Sequence, residues 1–183
     1  MSPTEILMNE HRVIETVLDC LDTMAETAKK DRRIDERSAR EAVDFFRNFA
    51  DGCHHAKEEH QLFPLMEARG FSPHEGPTAV MRDEHVQGRE LVGRIEAALP
   101  DDVDAFADAA RAYSLMLRDH IVKEDRCLFP MAGQALSKEE RDELSRRFDE
   151  LERGELSGLH EKYATLAREL AGRLGVTLSE VGG

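Results

Sequence analysis

The chain has 183 residues, a net charge of −13 and 34% charged residues, an acidic balance that argues against nucleic acid and anionic membrane surfaces, since both present negative phosphates. No apolar run approaches the roughly 20 residues of a membrane span, and no basic, apolar leader opens the chain, so we expect neither membrane helices nor a signal peptide. Three widely spaced cysteines favour reduced thiols and a cytoplasmic location over a disulfide framework.

Abundant Ala, Leu, Glu and Arg favour helix over strand. Ser2-Pro3-Thr4-Glu5 has the form of a capping box with proline in the first turn, and it predicts a helix to about Lys30. A second helix is predicted from Asp35 or Ser38 to Arg69, where Gly70 stops it and Pro64 bends its last turns. The apolar seam of the first helix follows a 4-3-4-3 spacing typical of bundles and consists of Leu7, His11, Ile14, Leu18 and Leu21.

A third helix is predicted from Pro77, and a fourth from about Val103 to Met131. Ser137 is expected to cap a fifth helix, and a last helix is expected to reach about Leu174. The short linkers favour antiparallel neighbours. We therefore predict an all-α protein: an up-down-up-down four-helix bundle over residues 1–133, with additional C-terminal helices in residues 134–183 packing on it. The third seam has the same spacing as the first and consists of Met81, His85, Gly88, Val92, Ile95 and Leu99.

An eleven-residue phrase occurs twice, at residues 54–64 and 120–130. Both copies share the first His, the Lys, the Glu and a closing Leu-Phe-Pro. In each copy a His and a Glu stand four apart, which places them on one face of a helix. Two such pairs on two helices can point at each other and hold a metal.

Each predicted bundle helix carries one His of this kind: His11, His54, His85 and His120. A lone seam His is usually a satisfied core residue, but four of them with two carboxylates are not explained in that way. Glu58 and Glu124 would be buried anions with no Lys or Arg on the seam to pair with. His nitrogen and carboxylate oxygen together suit Fe, Mn or Zn.

The order His, His-x3-Glu, His, His-x3-Glu differs from the Glu-x-x-His of ferritin-like di-iron bundles. It resembles the hemerythrin-like (HHE cation-binding) family of the bacterial type, over about Glu5 to Met131. The resemblance implies a non-heme centre of two iron ions with an oxo or hydroxo bridge. Its markers are His11, the two Leu-Phe-Pro phrases, Arg82-Asp83-Glu84-His85 and Gly76-Pro77. The implied metal ligands are His11, His54, Glu58, His85, His120 and Glu124, with the two glutamates bridging.

One register is ambiguous, because His55 and Glu59 also form a His-x3-Glu pair. Aligning the two phrases by their Leu-Phe-Pro ends selects His54 and Glu58. We then expect His55, Glu59 and Asp125 around the ligands or on the surface.

Oxygen-carrying hemerythrins have a second His on helix 3, whereas here Met81 and Arg89 stand four residues either side of His85. The centre is therefore expected to lack one imidazole and to leave a position open for water, peroxide or NO. This favours a di-iron protein that binds and reacts with O₂, H₂O₂ or NO. The alternative is binding or sensing of O₂ or iron without turnover. The sequence identifies no electron donor or protein partner.

Four side chains outside the implied ligand set also have expected positions. Tyr113 lies two turns before His120 and is expected either near the centre or as a core tyrosine. Cys53 and Cys127 are expected to fill the core, and His160 could close one end of the bundle.

Overall fold

The computed structural model describes residues 1–178, and within that range the chain is all-α, with no strand. We number six helices in chain order. They are α1 (Pro3–Asp31), α2 (36–68), α3 (Pro77–Ala97), α4 (103–135), α5 (Lys138–Arg153) and α6 (Leu159–Leu174).

The start of α1 confirms the predicted capping box. The Ser2 hydroxyl accepts a hydrogen bond from the Glu5 backbone N–H, and the Glu5 carboxylate accepts one from the Ser2 backbone N–H. The helix ends at Arg32, whose backbone is left-handed with φ 53°. All five members of its predicted seam are buried.

Helices α2 and α4 both change their winding near the centre of the molecule. Between its α-helical ends, α2 contains two π-helical stretches, Phe46–His55 and Glu58–Leu62. Helix α4 contains one, Glu124–Leu128, followed by the α-helical turns Phe129–Ala135. π-Helical turns carry one extra residue and often occur at functional sites.

Each Leu-Phe-Pro phrase begins at the last residue of a π-helical stretch, Leu62 in α2 and Leu128 in α4. The Phe63 N–H bonds the Glu58 carbonyl five residues back, and Phe129 bonds Glu124 in the same way. Proline lacks an N–H and crowds the carbonyl four residues before it, and the wider turn accommodates both effects. Helix α4 therefore passes Pro130 and continues to Ala135, four residues beyond the predicted end at Met131.

The four long helices contact one another in the pairs α1–α2, α1–α4, α2–α3 and α3–α4, and both α5 and α6 contact α1. Their apolar side chains form two clusters, one containing Ile14, Phe49 and Leu117 and the other Leu7, Phe63 and Phe129. On α1, His11 lies between the residues of one apolar cluster and those of the other. Buried polar residues of α2, α3 and α4 lie at the same height, and together they form a polar layer between the two apolar clusters.

None of the helices in residues 1–178 combines the length and the low charge that crossing a bilayer requires. The division at residue 133 remains a prediction.

Candidate metal centre

Two groups of buried His and Glu side chains lie next to each other in the polar layer. The two-His cluster consists of His11, His54, Glu58 and Glu124, and the three-His cluster consists of His55, His85, His120 and Glu58. Within each cluster, one ligand atom from every residue lies within 4.8 Å of all the others. The structure thus brings all six sequence-predicted residues together and adds His55.

Both glutamates face both clusters. The Glu58 oxygens lie 3.5 Å from His54 Nε2 and 3.5 Å from His85 Nε2. The Glu124 oxygens lie 3.2 Å from His11 Nε2 and 3.2 Å from His120 Nε2. Each carboxylate therefore directs one oxygen to each cluster, which is the arrangement that a pair of bridged metal ions requires.

All five imidazoles are oriented by a carboxylate at Nδ1. Because a carboxylate accepts a hydrogen bond, Nδ1 carries the proton and the Nε2 lone pair points into the cluster. The Nδ1–oxygen pairs are His11–Asp125 at 2.7 Å, His54–Glu10 at 2.9 Å, His55–Asp51 at 3.4 Å, His85–Glu59 at 2.7 Å and His120–Glu84 at 2.9 Å.

Unpaired polar atoms are concentrated in this layer. Among residues 1–178, the buried side-chain nitrogen and oxygen atoms without a hydrogen bond are Nε2 of His11, His54 and His55 and both oxygens of Glu58 and Glu124. Nε2 of His85 and Nε2 of His120 lie 3.2 Å apart, a contact that needs a proton on one of the two nitrogens and is lost when each ring carries a single proton, on Nδ1. Burying such atoms without partners is costly. Cations in the two clusters would satisfy all of them, and so the residues fit a metal pair.

The electrostatics of the layer also favour cations. Burial raises the pKa of Glu58 well above its ordinary value, and the facing Glu124 raises it further. Burial lowers the pKa of His54 to about 4 and that of His85 to about 3, so both rings are neutral at neutral pH, as metal ligation requires. Burial opposes protonation of His120, but Glu124 and Glu84 raise its pKa to about 9. A metal ion would displace that proton.

The geometry explains why the sequence phrase is repeated. Glu10, next to His11, accepts hydrogen bonds from His54 and Lys57. In the second half, Glu84, next to His85, accepts from His120 and Lys123 in the same way. Glu59 and Asp125, the next equivalent pair, orient His85 and His11, so both lie around the predicted ligands as expected. The polar layer is a duplicated half-site.

His55 breaks this symmetry, since its counterpart in the second phrase is Ile121. Its side chain is buried, and its ring stacks on His85 with centroids 3.9 Å apart. The sequence predicts a centre short of one imidazole, whereas the structure brings a fifth ring, that of His55 from α2, into the polar layer in place of a second His on α3. The signal in the sequence was the second His-x3-Glu register, of which His55 joins the three-His cluster while Glu59 bonds His85 Nδ1 from outside the cluster.

Comparison with known proteins agrees with this centre. The hemerythrin HHE cation binding domain matches residues 2–132. The chain belongs to this family. No solved structure matches the chain significantly.

Uncharacterized proteins of Mycobacterium tuberculosis and Mycobacterium bovis are relatives, each 27% identical over 155 residues. The match covers 81% of this chain and 60% of each relative. The chain thus spans less than two thirds of the length of these relatives, and the HHE domain is the part for which a family is shown.

The remaining candidates lie outside the two clusters. Tyr113 packs on Phe46, with ring centroids 4.7 Å apart, and burial raises its pKa above the ordinary value. His160 lies against Phe49, with centroids 5.5 Å apart. Cys53 is buried as expected, but Cys127 is exposed, so its assignment to the core was wrong. Residue 127 lies within the π-helical stretch Glu124–Leu128, whose wider winding turns it away from the face shared by Tyr113 and His120.

Proposed function

We propose that this chain is a non-heme di-iron protein that binds and reacts with small oxidants, namely O₂, H₂O₂ or NO. The observation that carries the proposal is the pair of adjacent buried clusters, both faced by Glu58 and Glu124, in which seven nitrogen and oxygen atoms have no hydrogen bond. Five imidazoles with two carboxylates form a mixed nitrogen and oxygen set that suits iron. An iron pair bound there would supply the electrons that reduce a small oxidant.

The two metal positions differ in their protein ligands. The two-His position has His11, His54 and one oxygen from each glutamate, whereas the other position has three imidazoles and the same two carboxylates. The position with fewer protein atoms leaves more room for an exogenous ligand. With His55 counted as a ligand of the three-His position, the open coordination position is expected at the two-His position.

The surroundings favour a small substrate. A cavity of about 230 Å³ reaches His55 and His85, so it borders the three-His position rather than the two-His position, and it is also lined by Tyr113, Gly88 and Arg89. Pockets for drug-sized organic molecules are larger, from about 300 to 1,000 Å³. Phe129 stacks on His11 and Phe63 on His85, with centroids 5.6 and 6.0 Å apart. These rings keep water from the buried faces of the imidazoles.

We also infer that the four long helices form an up-down-up-down bundle, which the short connections and the neighbouring helix pairs support. Reduced thiols support a cytoplasmic location. The electron donor is a partner still to be identified.

The test is anaerobic loading with Fe(II), followed by metal analysis and optical spectra before and after H₂O₂, O₂ or NO. We expect two irons per chain, a ligand-to-metal absorption band that appears on oxidation, and consumption of at least one oxidant. Reversible oxygenation without turnover would instead support an O₂-binding or sensing protein. A folded chain without bound iron after loading would contradict the proposal.

A further inference from the structure

A buried lysine connects the C-terminal helices to the metal centre. The Lys57 side chain is fully buried, and its Nζ donates to Glu10 and to Glu152 at 2.5 Å each. The second oxygen of Glu10 accepts from His54 Nδ1 at 2.9 Å. A chain of three polar contacts therefore runs from α5 to a member of the two-His cluster. Glu152 lies outside residues 2–132, the part that the family matches.

The second half of the site provides an internal comparison. Lys123, the counterpart of Lys57, also donates to the carboxylate that orients a cluster imidazole, in this case Glu84. Its other carboxylate is Asp119, which comes from the same helix, and Lys123 is 39% exposed. Only the two-His half therefore obtains its outer carboxylate from a separate helix.

Apolar packing places Glu152 at this position. Phe148 and Leu144 of α5 are buried in the apolar cluster that also contains Leu7 and Phe63. The Phe148 ring lies 5.8 Å from Lys57 Nζ. Helix α5 thus covers Lys57 and brings a carboxylate to it at the same time.

Removal of the Glu152 charge is expected to weaken metal binding by His54. Lys57 is shared between two carboxylates, and without one of them its whole charge acts on Glu10. Glu10 then accepts the hydrogen bond from His54 Nδ1 less strongly, which makes His54 Nε2 a poorer donor to a metal. Loss of the contact also weakens the attachment of α5.

We propose that Glu152 is a positioning residue for the metal centre and acts on His54 through Lys57 and Glu10. Docking of α5 and metal binding at the two-His cluster then favour each other, and the coupling is reciprocal. This inference rests on the proposed function, since it requires a metal at that cluster.

The first test compares Fe(II) binding by the wild-type chain, Glu152→Gln and Glu150→Gln in the presence of a competing chelator. Glu150 is an exposed residue of the same helix and serves as the matched control. Loss of a direct outer carboxylate typically weakens metal binding about 10- to 100-fold. For Glu152, which acts one contact further out, we expect roughly tenfold weaker binding of one of the two irons, with Glu150→Gln unchanged.

The second test is hydrogen exchange of the α5 amides with and without iron. We expect iron to slow exchange over residues 144–153 in the wild type and to have a smaller effect in Glu152→Gln. Equal iron affinity in both variants together with iron-independent exchange would overturn only this inference. A wild-type chain that binds no iron would overturn the proposed function as well. If Glu152→Gln does not fold, iron-independent exchange of α5 in the wild type would still overturn the inference.

Discussion

Glu58 and Glu124 face each other from α2 and α4, and each directs one oxygen to the two-His cluster and the other to the three-His cluster. Two facing carboxylates in a buried layer repel each other unless cations lie between them. This relationship supports our proposal that a pair of metal ions occupies the site.

The first prediction concerns the two kinds of carboxylate. Glu124→Ala removes a ligand from both positions and is expected to lose at least one iron per chain. Glu59→Ala removes the carboxylate that accepts from His85 Nδ1 and from Arg89 but no member of either cluster, so it should keep both irons but bind them about 10- to 100-fold more weakly. Elemental analysis and chelator competition measure both effects. An empty site in Glu59→Ala with a full site in Glu124→Ala would show that the assignment is reversed.

The second prediction concerns His55. His55→Asn should weaken iron binding at the three-His position and shift the absorption of the oxidised centre, because one of three imidazoles is lost. His60→Asn is the control, since His60 is exposed and lies five residues away on the same helix. If His55→Asn had the iron content and spectrum of the wild type, the fifth imidazole would have no ligand role.

The third prediction concerns metal-free stability. Near neutral pH, Glu58 must either hold a proton or remain a buried charge, because its pKa is raised well above the ordinary value. Glu58→Gln should therefore stabilise the metal-free protein, on the order of 1 to 3 kcal/mol, while reducing the gain in stability that iron provides. Urea unfolding with and without iron measures both. A metal-free Glu58→Gln less stable than the wild type would contradict the electrostatic account.

The fourth prediction concerns the thiols. Burial raises the pKa of Cys20 to about 11 and that of Cys53 to about 12, whereas Cys127 is exposed. Because the thiolate is the reactive form, an alkylating reagent near neutral pH should modify one thiol per native chain. Cys127→Ser should abolish this labelling, as mass spectrometry can show. Rapid labelling of Cys53 in that variant would indicate that α5 does not cover it.

The sequence alone predicted the helices and their ends well where local signals are strong. The Ser2 and Ser137 capping boxes and Pro77 mark helix starts directly. The buried positions of His11 and His85 followed from the 4-3-4-3 seams, because a regular α-helix repeats its faces at that spacing.

His55 could not be placed in the same way. In an α-helix, neighbouring residues point about 100° apart, so the choice of His54 as the inward residue turned His55 away. The π-helical stretch Phe46–His55 and the presence of two adjacent clusters allow both rings to point inwards, 5.5 Å apart. A change from α-helical to π-helical winding cannot be predicted from α-helical periodicity in the sequence.

The contacts of Lys57 also lay beyond sequence reasoning. Glu10 and Glu152 are 47 and 95 residues away from it along the chain. Only the packing of α1 and α5 against α2 brings these charges together. Equivalent residues in the two phrases therefore have different surroundings, although their local sequences agree.

The most direct test of the proposed di-iron centre is the Mössbauer spectrum of the wild-type chain loaded with isotopically enriched iron and oxidised. Two positions with different numbers of imidazoles and shared carboxylates predict two quadrupole doublets of equal area, with the irons magnetically coupled. A single uncoupled iron, or iron bound only loosely and not at these residues, would contradict the account.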